Sequence, residues 1–154
     1  MAQPAGVGSS VNADLGGRVR AVQTIVPTKM TASTNGVAVD LKGYDSAMSL
    51  IHVGDSLDTL AVGLYHTFTL EESDDGSTGL ATIPASGLRH DLNDFTTTTT
   101  PASDQKVIQT TILAGTGRKR YVRAVVTLTG THTNGTPIGA TIVKGNPRVN
   151  PATM

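Results

Sequence analysis

Four histidines are the residues of this sequence that most readily bind metals or transfer protons: His52, His66, His90 and His132. No two of them have the i, i+2 or i, i+4 spacing of a local pair of metal ligands. His66 falls on the apolar side of an alternating segment, where a hydrogen-bonded core histidine is the more frequent arrangement. His52 can still lie beside it on an adjacent strand, so the sequence leaves a paired site open.

Four carboxylates form the densest acidic group of the chain: Glu71, Glu72, Asp74 and Asp75. Oxygen ligands in a tight turn can hold Ca²⁺, but the ligand spacing of a known calcium loop is absent. Clustered like charges are usually exposed to solvent. We therefore predict the exposed tip of a β-hairpin in preference to a calcium site.

Arg118, Lys119, Arg120 and Arg123 form the densest basic cluster, and Tyr121 lies within it. Basic residues around an aromatic ring can bind nucleic acid or phosphate. Strand alternation divides these charges between two faces, and the net charge of the chain is zero. We therefore favour ion pairs with the acidic turn or with a neighbouring subunit, and we expect no nucleic-acid partner.

Other signals of catalysis are weak. Residues 115–118 superficially resemble a phosphate loop but lack the GxxxxGK[ST] spacing and a following helix. No serine has the histidine and aspartate context of a nucleophile, and the absence of cysteine excludes thiolate chemistry. We predict that the protein is not an enzyme and that it has no catalytic, cofactor-binding or metal-binding residues.

The composition favours strands and a thin aliphatic core. Aromatic residues are 3% of the chain, charged residues are 16%, and Trp is absent. The length of 154 residues suits one domain. No apolar segment approaches the roughly 20 residues of a membrane helix, and the N-terminus lacks the regions of a secretory signal. We expect no membrane partner.

The elements that must position these side chains are strands. Residues 62–70 alternate, with Val62, Leu64, His66, Phe68 and Leu70 on one side, which predicts a half-buried strand that returns as a hairpin. Asn134-Gly135 predicts another hairpin turn within residues 130–137. The predicted strands are residues 19–27, 37–41, 46–53, 62–70, 80–83, 106–113, 118–129 and 138–144.

About eight strands without helical periodicity predict an all-β fold, an antiparallel β-sandwich of jelly-roll or immunoglobulin-like type. We expect the sandwich domain to occupy residues 18–146. Residues 1–17 are predicted to be a flexible N-terminal arm, and residues 147–154 an extended C-terminal tail. The Pro-punctuated segment that leads into this tail begins at Asn146. Residues 85–104 are predicted to be a long Thr-rich surface loop, of which residues 91–101 face outward.

Four stretches occur in an order that resembles small virion proteins of tailed bacteriophages, of the capsid decoration or minor head protein type. They are VAVDLKGYDSAMSLIHVG, FTLEESDDGSTG, RKRYVRAVVTLTGTHTNG and ATIVKGNPR. The motifs of this type are matched at residues 39–44, 72–76 and 120–123. The resemblance covers roughly residues 37–148.

The resemblance implies a β-sandwich without catalytic residues that binds a phage shell as an oligomer. The expected function is that of a capsid decoration (cement) protein on the outer surface of the head. Its expected partner is the major capsid protein, with a trimer as the favoured homo-oligomer. It would be made in the host cytoplasm and located in the virion, and the arm and the tail would contact neighbouring subunits.

Two alternatives differ in function. The first is another position in the virion, such as a tail, fibre or head–tail connector component, which differs in copy number per particle. The second is a carbohydrate-binding β-sandwich module. Such a module is expected to bind sugars on a platform of aromatic rings, and this chain has few aromatic residues to form one. The available rings are Tyr44, Tyr65, Phe68, Phe95 and Tyr121.

Overall fold

The computed structural model describes residues 15–90, 106–113 and 117–148. These residues form ten strands and one 3₁₀ turn (Ala85–Gly87). The strands are β1 (Val19–Met30), β2 (Thr34–Asn35), β3 (Val39–Asp40), β4 (Tyr44–Val53), β5 (Tyr65–Ser73), β6 (Ala81–Thr82), β7 (Leu88–His90), β8 (Lys106–Ile112), β9 (Tyr121–Thr129) and β10 (Thr136–Pro147). Within these ranges no helix has the length and apolar character that crossing a membrane requires.

The strands form two antiparallel sheets that pack against each other. The first sheet has the order β1-β10-β4-β8-β7, and the second has the order β2-β9-β5-β6, with β3 also paired to β9. The prediction of an all-β antiparallel sandwich is therefore confirmed. The two strands beyond the predicted eight are β2, which has only two residues, and β7, which lies within the predicted Thr-rich loop.

Among the described residues, the core is aliphatic around one phenylalanine, Phe68. His66, Phe68 and Leu70 of β5 are fully buried, as their alternation predicted. Each fully buried aliphatic side chain contributes about 1.5–3 kcal/mol relative to exposure, so a core with few aromatics needs many of them. The aliphatic members include Ile25, Ile51, Ile83, Ile108, Val122, Val126, Ile138 and Ile142.

The predicted start of the central strand is wrong. Val62 is fully exposed, because the chain turns tightly before β5 begins. Ala61 and Leu64 exchange backbone hydrogen bonds of 3.0 and 2.9 Å around this turn. Gly63 has φ +92 in the turn, a conformation that side-chain-bearing residues rarely adopt.

The predicted hairpin within residues 130–137 is also wrong. Asn134-Gly135 does form a turn, with Gly135 at φ 75. However, β9 lies in the second sheet and β10 in the first, where β10 pairs with β1 and β4. The segment therefore crosses between the sheets, because an Asn-Gly turn sets the local backbone but not the partner of the following strand.

The predicted boundaries of the loop and the tail need correction. Residues 85–90 belong to the sandwich, since Leu88 is buried and β7 pairs with β8. Strand β10 continues to Pro147, which pairs with Tyr44, so the tail does not begin at residue 146 or 147. Predictions for residues 1–14, 91–105, 114–116 and 149–154, which include most of the phosphate-loop-like segment, lie outside the described residues.

Candidate functional site

The predicted basic cluster lies at one end of the sandwich, which we call the charged end, where β5 ends and β4 and β9 begin. Arg118 pairs with Glu72 at 3.0 Å, and Lys119 pairs with Asp74 at 3.2 Å. Arg123 pairs with Glu71 at 2.7 Å. The predicted pairing with the acidic segment is thus confirmed for these three cations. Arg120 instead binds the Asp40 carboxylate of β3.

Glu72 does not belong to an exposed hairpin tip. Residues 71–73 are the last part of β5, and Glu72 is only 6% exposed. Every second side chain of β5 points into the core, and Glu72 follows His66, Phe68 and Leu70 in this series. The exposed tip begins at Asp74, so the prediction holds only for the second half of the acidic group.

Arg118 joins the two sheets through its largely buried side chain. The Nη2 atom pairs with Glu72 of the second sheet, while the guanidinium lies against Gly87, just before β7 of the first sheet. A side chain at Gly87 would overlap the guanidinium. The Nη1 atom is buried without a hydrogen-bond partner within the described residues. A side chain at Gly87 would therefore have to displace the Arg118 guanidinium from this position.

The acidic group does not form a calcium site in this geometry. Glu71 and Glu72 lie on opposite faces of β5, and arginines bind both. The Asp75 carboxylate accepts hydrogen bonds from Thr78 and from the Ser77 N–H, and the bond from the Thr78 hydroxyl is the main cause of its lowered pKa. Among the described residues, no three potential metal ligands converge.

A buried histidine pair lies towards the opposite end of the sandwich. The ring centroids of His66 and His132 are 4.6 Å apart, and the residues are 0% and 4% exposed. Burial, followed by the neighbouring His132, lowers the pKa of His66 to about 4. The suggestion that His52 lies beside His66 is wrong, because His52 is exposed on the first sheet. His90 lies on β7, outside this pair.

Asp58 fixes the crossing segment beside this pair. Its carboxylate accepts the backbone N–H groups of Asn134 at 2.9 Å and Gly135 at 2.7 Å, and the Asn134 hydrogen bond is the main cause of its lowered pKa. The His132 Nδ1 atom lies 3.8 Å from the Asp58 carboxylate, and its Nε2 atom is 3.1 Å from the Thr129 carbonyl oxygen. With both rings enclosed, the cluster holds the loop and offers no surface to a substrate.

The outer face of the first sheet lacks formal charge across its three central strands. By the pairing register, residues of β10, β4 and β8 point outward in rows such as Thr141, Leu50 and Gln109. We call this surface the uncharged face. The outward charged residues of this sheet are Lys29 and Arg89, on its edge strands. The central residues of the uncharged face are Gly139, Thr141, Val143, Met48, Leu50, His52, Val107, Gln109 and Thr111.

The outer face of the second sheet is polar and charged. Thr67 and Thr127 are directly opposite each other on β5 and β9, and so are Glu71 and Arg123, which form an ion pair. We call this surface the threonine face. Short polar side chains and a cross-strand ion pair are typical of a sheet face in water.

No known protein family matches the chain, no curated protein is significantly similar to it, and no solved structure matches it. The class that the fold defines is an antiparallel β-sandwich with two chemically different outer faces.

Proposed function

We propose that this chain is a structural protein of a phage particle, a capsid decoration (cement) protein that binds the outer surface of the head and stabilises it. The sequence resemblance suggests this role. The single structural observation that supports it best is the uncharged face. Of the two outer faces of the sandwich, this is the one whose central strands carry no formal charge.

The uncharged face has the composition of a contact surface. Soluble domains usually intersperse both signs of charge over their surfaces, whereas the cores of protein interfaces are depleted of charge. This chain has 12 basic and 12 acidic residues, yet the outward positions of the three central strands have none of them. The three central strands, spaced about 4.8 Å apart, give an uncharged surface about 10 Å wide between the two edge strands.

The two chain ends provide the second element of the proposal. Strand β1 starts at Val19, directly opposite Gly145 near the end of β10. The start of β1 and the end of β10 therefore lie next to each other at one end of the first sheet. In the proposed assembly, the segments before β1 and after β10 reach adjacent capsid subunits and add contact area.

Binding to empty heads tests the function directly. The purified chain is mixed with expanded heads assembled from the major capsid protein of the proposed source phage, and sedimentation measures the bound copies. We expect saturable binding in a fixed ratio to the capsid subunits, together with a higher melting temperature of the heads. Attachment of only a few copies per particle would contradict decoration and favour a connector or tail position. An absence of binding would overturn a head-binding role.

Removal of the first 15 residues tests the role of the N-terminal segment. We expect the truncated protein to keep the melting temperature of the full chain, because the deletion ends before β1. Head binding should be lost. A full-length protein labelled at the N-terminus is the matched control, and binding equal to the full chain after truncation would exclude the segment as a contact.

A further inference from the structure

The sequence contains two asparagine–glycine pairs in matching local contexts. They are Asn35-Gly36 and Asn134-Gly135, and each follows a threonine. In such a pair the backbone nitrogen of the glycine reaches the asparagine side chain easily, because glycine has no Cβ atom to obstruct the approach. The two pairs therefore share their intrinsic chemistry, and a difference in their reactivity would come from the folded structure.

The second pair is held by one carboxylate. The Asp58 side chain is 7% exposed and accepts hydrogen bonds from the backbone N–H groups of Asn134 at 2.9 Å and Gly135 at 2.7 Å. Its Oδ1 atom also accepts a hydrogen bond from the Asn134 Nδ2 atom at 3.1 Å. Asp58 therefore binds both the Gly135 nitrogen and the Asn134 side-chain amide.

The first pair is held by backbone pairing in the second sheet. Asn35 is the partner of Val125 in the register of β2 and β9, and the Gly36 N–H donates to the Ala124 carbonyl oxygen at 2.8 Å. A Cβ atom at Gly36 would overlap the Thr24 hydroxyl, so this backbone is tightly enclosed. None of these contacts involves Asp58, which makes Asn35 an internal control.

We propose that Asn134 is a site of spontaneous deamidation and that the Asp58 carboxylate suppresses the reaction in the folded chain. In the reaction, hydroxide takes the Gly135 amide proton, and the amide nitrogen attacks Cγ of Asn134. The N–Cγ bond forms as the Cγ–Nδ2 bond breaks, and ammonia leaves with a proton from water. Water then opens the cyclic imide at either carbonyl, which gives aspartate or isoaspartate without any change in oxidation state.

Asp58 opposes the first step of this reaction. Loss of the Gly135 proton would create a negative nitrogen in contact with a carboxylate, and a nearby like charge disfavours the charged form. The nitrogen must also give up its hydrogen bond with Asp58 before it can attack. The loss of one hydrogen bond to a charged group corresponds to a factor on the order of 10 to 100 in rate.

Deamidation would loosen the segment that crosses between the sheets. A carboxylate at position 134 replaces a hydrogen-bond donor beside Asp58 with a like charge. The Asn134→Asp variant supplies this product directly and should lower the melting temperature by about 4 °C. An unchanged melting temperature would contradict the binding of the Asn134 side chain by Asp58.

Peptide mapping by mass spectrometry follows both asparagines in one sample of the full chain, incubated in mildly alkaline buffer with or without urea. In urea the two asparagines should react at similar rates, because both follow threonine and precede glycine. In the native chain, Asn134 should react at least about 10-fold more slowly than in urea. Equal native and urea rates at Asn134 would overturn the proposal. Head binding plays no part in this measurement, so its outcome is independent of the proposed function.

The Asp58→Asn variant tests the carboxylate itself, because asparagine keeps the size of the side chain but removes its charge. The native rate at Asn134 should rise about 10-fold or more, while the rate at Asn35 stays unchanged. Asp55→Asn is the matched control, since it removes an exposed carboxylate three residues earlier, and it should leave both rates unchanged. No rise at Asn134 in Asp58→Asn, or a parallel rise at both asparagines, would contradict direct protection by Asp58.

Discussion

The two outer faces of this sandwich are built by the same strand alternation but differ in chemistry. On the threonine face, Thr67 and Thr127 are paired and Glu71 binds Arg123 across the strands. On the uncharged face, the matching positions are filled by residues such as Met48, Leu50 and Val143. Both faces cover the same aliphatic core, so packing of the interior does not require this difference.

The difference indicates which face meets water and which is available for contact. A sheet face in water gains little from apolar side chains, and opposed charges contribute only modestly there. A face that becomes buried in an assembly loses stability for each unpaired charge that it contains. The contrast therefore supports the uncharged face as the contact surface. The predictions below test it from the largest expected effect on stability to the smallest.

Glu71 and Glu72 are neighbours on β5, but Glu71 points to the threonine face and Glu72 points into the interior, so substitutions at these two positions compare the two environments. Glu72→Ala should destabilise the fold by about 3 kcal/mol, because it leaves the largely buried Arg118 without its carboxylate. Glu71→Ala should cost less than about 1 kcal/mol, as expected for a partly exposed pair. Urea unfolding of both variants measures the difference. Equal losses in the free energy of unfolding would mean that the ion pair on the threonine face stabilises the fold as much as the ion pair of the interior.

As the pH falls from 7.5, the first loss of stability should come from protonation of the buried His66 and not from groups on the two outer faces. The pKa of His66 is about 4, below its ordinary 6.5, so the unfolded chain binds the proton more readily. The associated stability is complete above pH 6.5 and is lost as the pH falls towards 4. Between pH 7.5 and pH 5 the loss should be about 2 kcal/mol.

Urea unfolding at the two pH values measures this loss. Asp40 does not affect the measurement, because its lowered pKa acts only below about pH 4. The His66→Leu variant is the control, and its stability should be nearly constant over this interval. A loss of the same size in His66→Leu would exclude His66 as the cause.

Single lysines on the two faces should have the smallest effect on folding. Leu50→Lys and Thr69→Lys both introduce a charge at an outward position of a central strand. Each should change the free energy of unfolding by about 1 kcal/mol or less, as is usual for surface substitutions. Thermal melting of the isolated protein checks this. Unfolding of the Leu50→Lys protein would show that the face is part of the core.

Local pattern predicted the inner side of the strands but not their partners. The alternation through His66, Phe68 and Leu70 was sufficient to place those residues in the core, and its extension by one period reaches Glu72. The pairing of Arg118 with the acidic segment followed from opposite charge. The first inference uses only the order of residues within one strand, and the second uses only the opposite charges of two short segments.

The remaining features depend on contacts between distant segments. His132 meets His66 because residues 130–135 cross between the sheets, whereas an Asn-Gly turn by itself indicates a hairpin. Leu88 is buried by pairing with β8, across a long intervening segment. The opposition of Arg20 and Lys144 requires the register of the first and last strands. No local period in the sequence encodes these pairings.

The measurement that tests the central claim most directly is head binding by the two lysine variants. Leu50→Lys should weaken binding by on the order of 100-fold, since it buries an unpaired charge in the contact, while Thr69→Lys should bind like the unsubstituted chain. Both proteins must first melt at the wild-type temperature within the expected margin. Wild-type binding by Leu50→Lys, or loss of binding by Thr69→Lys alone, would contradict the assignment of the uncharged face as the contact surface.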